Sequence, residues 1–100
     1  MKIIFDKNDY NSYKDFYIDV LKKLNNKRFP DWEDETNLGF NANLLWEFLW
    51  YCSEDCNEYI FKNFKNKHTQ TYEQKQWEFI LFYFNKLVNE YPHNTLTFIN

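Results

Sequence analysis

Apolar and polar positions along the chain follow two periods, and each marks a different kind of element. Tyr13, Phe16, Tyr17, Val20, Leu21 and Leu24 recur at spacings of three and four. That spacing predicts an amphipathic helix of roughly a dozen residues. Asp9 to Ser12 reads as its start, with Ser12 as N-cap, Asp15 three residues on, and Asn25-Asn26 as its end. A second helix is predicted over 41–51, capped by Asn41, with Leu44, Leu45, Phe48 and Leu49 on its buried face. Asn43, Trp46, Glu47 and Trp50 stand at i, i+3, i+4 and i+7 and share the opposite face. A third helix runs from Thr71 to Tyr91 on a stripe of Trp77, Ile80, Leu81, Phe84, Leu87 and Val88, and Pro92 stops it. Three short segments read as strands instead. Ile3, Ile4 and Phe5 form a buried run closed by Asp6. Glu58 to Phe64 sets Tyr59, Phe61 and Asn63 against Ile60, Lys62 and Phe64, and Thr95 to Ile99 is β-branched and aromatic.

The order is strand, helix, helix, strand, helix, strand. Helical crossovers between successive strands predict an α/β fold, a small three-stranded parallel sheet flanked by helices. One hundred residues fit a single domain over 1–100, and no internal repeat or low-complexity linker divides them. Aromatic residues make up 23% of the chain, and rings of that size let a small domain bury much apolar area.

Charge changes the picture more than composition does. From Phe29 to Phe61 there is no lysine or arginine, whereas Asp31, Glu33, Asp34, Glu35, Glu47, Glu54, Asp55 and Glu58 give the segment a charge of −8. The other residues hold 12 positive and seven negative side chains, a balance of +5, so the net −3 hides a divided molecule. The second helix lies inside the acidic segment and turns aromatic and acidic groups outward together. Such a surface suits a basic protein partner better than a small substrate. The acidic connection from Phe29 to Leu38, broken by Pro30, holds Asp31, Glu33, Asp34 and Glu35 as candidate steering charges.

Other chemistry is not legible. There is no nucleophile motif, no Gly-rich phosphate loop and no paired histidine, so an enzyme is not expected. Cys52 and Cys56 with His68 or His93 match no zinc spacing, and neither a metal nor a cofactor is expected. The two cysteines are expected as free thiols, because i,i+4 placement on one helix is poor disulfide geometry. Lys62, Lys65 and Lys67 beside Phe61 and Phe64 raise single-stranded nucleic acid as a weaker alternative. The apolar run near the N-terminus, Ile3 to Phe5, is too short for a signal peptide, and no stretch approaches the ~20 residues of a membrane span. A soluble, cytoplasmic protein is the expectation.

The run Gly39-Phe40-Asn41-Ala42-Asn43-Leu44-Leu45-Trp46-Glu47-Phe48-Leu49 resembles the signature of the barstar family, Gly-x-Asn-Leu-Asp-Ala-Leu-Trp-Asp-x-Leu. Phe16 to Leu24 and the closing Leu96-Thr97-Phe98-Ile99 also fall where that family has a helix and a strand. The resemblance implies a barstar-like fold and an inhibitor that plugs a toxin's active site with its second helix and the preceding loop. It assigns Gly39 and Asn41 to the loop and cap, Trp46 to the interface tryptophan, and Glu47 to the aspartate that enters the nuclease's phosphate-binding site. Asn43 stands where the family has a second interface aspartate, and Trp50 and Tyr51 replace smaller residues. Asn37-Leu38 stand at upstream aromatic positions, and Asn85 and Lys86 stand nearest an acidic contact of the last helix. The toxin is therefore not restricted to a barnase-type enzyme.

The expected partner surface comprises Leu38, Gly39, Asn41, Asn43, Trp46, Glu47, Trp50 and Tyr51. The expected function is an immunity protein that binds a cognate basic toxin one to one, with a ribonuclease as the first expectation. The alternatives are a non-inhibitory interaction module using the same helix, and a nucleic-acid-binding protein.

Overall fold

The computed structural model describes residues 1–24, 41–64 and 71–99. In chain order these form β1 (Lys2–Asp6), a 3-10 turn (Lys7–Asp9), α1 (Tyr13–Leu24), α2 (Ala42–Tyr51), β2 (Glu58–Lys62), α3 (Thr71–Glu90) and β3 (Thr95–Ile99). The strands make one parallel sheet in the order β1-β2-β3, so the fold is α/β with a three-stranded parallel sheet flanked by three helices among the described residues.

The helices lie on one face of the sheet, and the side-chain alternation of the strands shows it. Ile3, Tyr59 and Leu96 stand in register, as do Phe5, Phe61 and Phe98, and all six point to the helices. Phe5 stacks on Phe61 at 5.3 Å between ring centres, and Phe61 on Phe98 at 5.3 Å. Phe16 of α1 and Phe84 of α3 pack edge-on against this row, and Phe16 stacks on Trp77 at 4.9 Å. The other face carries Ile4, Ile60 and Thr97 in register, with Ile4 exposed. Ile60 is buried on that face, so Tyr59, Ile60 and Phe61 are buried in succession although their side chains alternate between the faces.

β2 ends at Lys62, two residues before the sequence pattern suggests, because Asn63 takes a left-handed conformation with φ 64°. Asn tolerates that region better than most residues. Its side-chain amide donates to Asp6 Oδ1 at 2.9 Å, which ties the ends of β1 and β2 and, with the Asn8 N–H, holds the Asp6 carboxyl below its ordinary range. The reversal folds Phe64 back onto Phe16, Phe61 and Trp77. The segment expected as the start of the first helix is also divided. A 3-10 turn capped by Asp6 comes first, Tyr10 is extended, and α1 begins at Tyr13, after Ser12. Glu73 of α3 accepts the Tyr13 N–H at 3.1 Å and the Trp77 Nε1–H at 3.2 Å, so one carboxylate ties the start of α1 to α3. The Tyr10 hydroxyl donates to the Asp19 carboxylate, and burial first, then that carboxylate, push the phenol well above its usual range.

Cys52 and Cys56 do not share a helix, contrary to the sequence expectation. Cys52 caps the end of α2, buried, with its thiol donating to Leu24 O at 3.3 Å, whereas Cys56 lies past the turn, exposed and at φ 53°. Both are free thiols.

Candidate functional site

The outward side of α2 is built by its two ends and its buried stripe. At the start, Asn41 Oδ1 accepts the Leu44 N–H at 3.1 Å, satisfying one of the helix's orphan donors. The Tyr17 hydroxyl bridges the Asn41 N–H and C=O, each at 3.3 Å, so α1 fixes where α2 begins. Leu44, Leu45, Phe48 and Leu49 are buried against the core, and their spacing sets the rotation of the helix. At the far end, Asn94 is a buried hub. Its Oδ1 accepts the Asn57 N–H at 2.9 Å, and its amide donates to Ser53 O at 2.7 Å and Tyr91 O at 3.2 Å. His93 adds a contact from Nε2 to the same Ser53 carbonyl at 2.8 Å. The turn after α2 is thereby fixed to the start of β3.

On this frame Asn43 and Glu47 stand exposed, Trp50 is 48% exposed and Tyr51 36%. Glu47 has no ion pair among the described residues. Trp46 differs from the expectation that it projects freely. It lies on the flank of the helix where α3 passes, half-buried, with its ring 6.2 Å from Tyr83 and Lys86 Nζ 4.6 Å from its centre. Of the expected surface, Asn41, Asn43, Trp46, Glu47, Trp50 and Tyr51 belong to one helix and its cap. Leu38 and Gly39, and the steering residues Asp31, Glu33, Asp34 and Glu35, lie outside the described residues.

Two further features border this surface. Beyond the C-terminal end of α2, Trp50, Tyr51, Ser53, Glu54, Asp55 and Tyr91 line a cleft of about 440 Å³. Trp50 and Tyr51 meet edge to face at 5.0 Å, and the two carboxylates stand at the cleft's side. Aromatic faces beside carboxylates suit a guanidinium or ammonium group. On the α3 side, the Trp46 ring leads to Tyr83, Tyr83 to Phe82 at 5.4 Å, and Phe82 with Phe79, Lys75 and Glu78 lines a shallow groove of about 290 Å³. Phe79 and Phe82 are more than half exposed.

Reasoning from sequence missed Phe79, Phe82, Tyr83 and Tyr91, and named Lys86 only as standing nearest the family's acidic contact of the last helix. The signal was present: Phe79, Phe82 and Lys86 recur at i, i+3 and i+7, off the Trp77, Ile80, Phe84 and Leu87 stripe. No His, Cys, Asp and Glu residues among the described ones gather as a metal site. Among those residues no helix is long and apolar enough to cross a membrane. Comparison of the chain with family models, curated proteins and solved structures finds no match.

Proposed function

We propose that this chain is a cytoplasmic immunity protein of barstar-like design. It binds a basic protein toxin through the outer side of α2 and blocks the toxin's active site, and a ribonuclease is the first candidate. The observation that carries the reading is Glu47, an exposed carboxylate without an ion pair among the described residues, on a helix that also presents Trp46 and Trp50. A nuclease site must attract phosphate, so it is lined by cations, and a carboxylate delivered there forms charge-assisted hydrogen bonds. The aromatic neighbours supply the desolvated anchor area that interface hot spots use. The resemblance of residues 39–49 to the barstar signature and the matching order of elements support the same reading. The cleft of Trp50, Tyr51, Glu54 and Asp55 fits a lysine or arginine at the rim of such a partner.

Lys86 favours a second reading. Its ammonium over Trp46 places a cation where an inhibitor of a cationic enzyme gains from an anion. A non-inhibitory interaction module, with a partner of mixed charge, uses the same helix. The two readings separate in one assay, in which the purified chain is titrated into a panel of basic microbial ribonucleases, barnase-type enzymes included. Stoichiometric loss of nuclease activity supports the inhibitor. Binding without loss of activity supports the module.

A further inference from the structure

The two outer edges of the sheet are protected unequally, and the ladder hydrogen bonds show which backbone groups each edge presents. Glu58 N–H donates to Met1 O at 2.8 Å, so in the parallel ladder Ile3 and Phe5 face β2, and Lys2, Ile4 and Asp6 turn their N–H and C=O outward. On the other side, Thr95 N–H donates to Asn57 O at 3.0 Å and Asn63 N–H donates to Ile99 O at 2.8 Å. Thr95, Thr97 and Ile99 therefore face β2, and Leu96 and Phe98 present their N–H and C=O outward.

The β1 edge is guarded. Lys23 Nζ donates to the outward Ile4 carbonyl at 2.7 Å, held there by Asp19 at 2.9 Å and by the Phe5 ring 5.0 Å below. A lysine laid over an edge strand blocks the approach of another strand. Among the described residues the β3 edge has no such guard. Its sequence, Thr-Leu-Thr-Phe-Ile, holds no charge and no proline, and Thr95, Thr97, Phe98 and Ile99 are exposed. The outward groups of Leu96 and Phe98 make no hydrogen bond among the described residues.

We propose that β3 pairs antiparallel with β3 of a second copy of this chain, about a two-fold axis at Thr97, joining two three-stranded sheets into one of six strands. The self-complementarity of the strand points to a second copy as the occupant. With the axis at Thr97, Leu96 stands opposite Phe98 of the second copy, and the two exchange both N–H···O=C bonds. The symmetric pair does the same, so every outward group of Leu96 and Phe98 in both copies is satisfied. Thr97 meets its own equivalent in the closer, non-hydrogen-bonded pair between them. An axis at Leu96 would instead bring in Asn94, whose N–H is already given to Tyr91 O at 3.0 Å. The side chains agree with this register. Leu96 and Phe98 share the helix face, so Leu96 of the second copy extends the row Phe5, Phe61, Phe98, and no side chain changes face. The surface is isologous, as a two-fold dimer requires. It lies apart from α2, which packs on α1 and α3, so each chain of the dimer keeps its outer α2 surface and the one-to-one ratio with a partner holds.

Sedimentation equilibrium tests the pairing. The expected result is an average mass that rises toward twice the chain mass with concentration in the wild type and in Thr97→Val. In Thr97→Lys it stays at the monomer, with an unchanged far-UV spectrum, because two ammonium groups then face each other across the axis. A wild type that remains monomeric at every soluble concentration overturns the proposal. So does a dimer that survives in Thr97→Lys, which would place the contact elsewhere, with the Phe79 and Phe82 groove next in line. Should Thr97→Lys lose its fold, cysteine pairing in a Cys56→Ser background decides. Thr97→Cys should form a covalent dimer on mild oxidation and Ile99→Cys should not, and the reverse result contradicts the register.

Discussion

The ammonium of Lys86 lies 4.6 Å from the centre of the Trp46 ring, so the tryptophan at the heart of the candidate surface is braced by the last helix. Trp46 therefore serves the fold, and under the proposed function it serves contact as well. Trp46→Ala should lower stability by about 1–3 kcal/mol, as loss of a half-buried ring does, besides weakening partner binding. Lys86→Ala should cost only about 0.5–1 kcal/mol, the scale of an exposed cation–π contact. Chemical denaturation of both variants checks the ranking, and a Trp46→Ala protein as stable as the wild type would contradict the bracing.

Under the proposed function Lys86 should also tune association. Lys86→Glu should speed binding to a basic partner and steepen its decline with salt, because it replaces the cation over Trp46 with an anion. Stopped-flow association across a salt series reads both effects. An unchanged rate would mean that Lys86 lies outside the contact.

Leu45 anchors α2 in the core and Asn94 anchors the turn that follows it. Leu45 is fully buried, and Leu45→Ala should cost about 2–5 kcal/mol through the cavity it leaves. Asn94→Ala leaves the buried Asn57 N–H without its acceptor and should cost about 1–3 kcal/mol. Thermal melts check the two values. In Asn94→Ala, proteolysis should begin at the 53–57 turn, which loses its anchor to β3.

Stability should decline in alkali. Burial raises the phenols of Tyr10 and Tyr59, in Tyr10 with the Asp19 carboxylate adding to it. Both groups are neutral in the folded and unfolded chain below the ordinary tyrosine value of about 10. Above it the unfolded chain ionises while the folded chain holds its protons, so the stabilisation is lost as pH climbs toward the raised folded values. Denaturation midpoints from pH 8 upward should therefore fall beyond about pH 10. Tyr10→Phe should fall less steeply, and an equal slope would exclude Tyr10 as a source.

The fold was readable because its signals were local. The three- and four-residue spacing of Phe16 to Leu24 and of Leu44 to Leu49 marked helices, and the crossover order marked a parallel sheet. What escaped depended on contacts between distant segments. Nothing in Glu58 to Phe64 announces that Asp6 will hold Asn63 in a left-handed turn and end β2 at Lys62. The helical spacing of Trp46 also placed it opposite Leu45, but only the passage of α3 decides that Tyr83 and Lys86 cover its ring. The exposed side of α2 was legible as a pattern. Its extension through Tyr83 and Phe82 required the packing of two helices separated by a strand.

The central claim, that the outer side of α2 delivers Glu47 into a basic nuclease, is tested most directly by an inhibition titration. Wild-type chain and Glu47→Ala are each titrated into the panel of basic ribonucleases. Glu47 is exposed, so its replacement should leave the stability within about 0.5 kcal/mol of the wild type. The account predicts stoichiometric inhibition of at least one enzyme by the wild type, and a loss of about 2 kcal/mol or more in binding for Glu47→Ala. Equal inhibition by the two proteins, or no inhibition of any enzyme by the wild type, would contradict it.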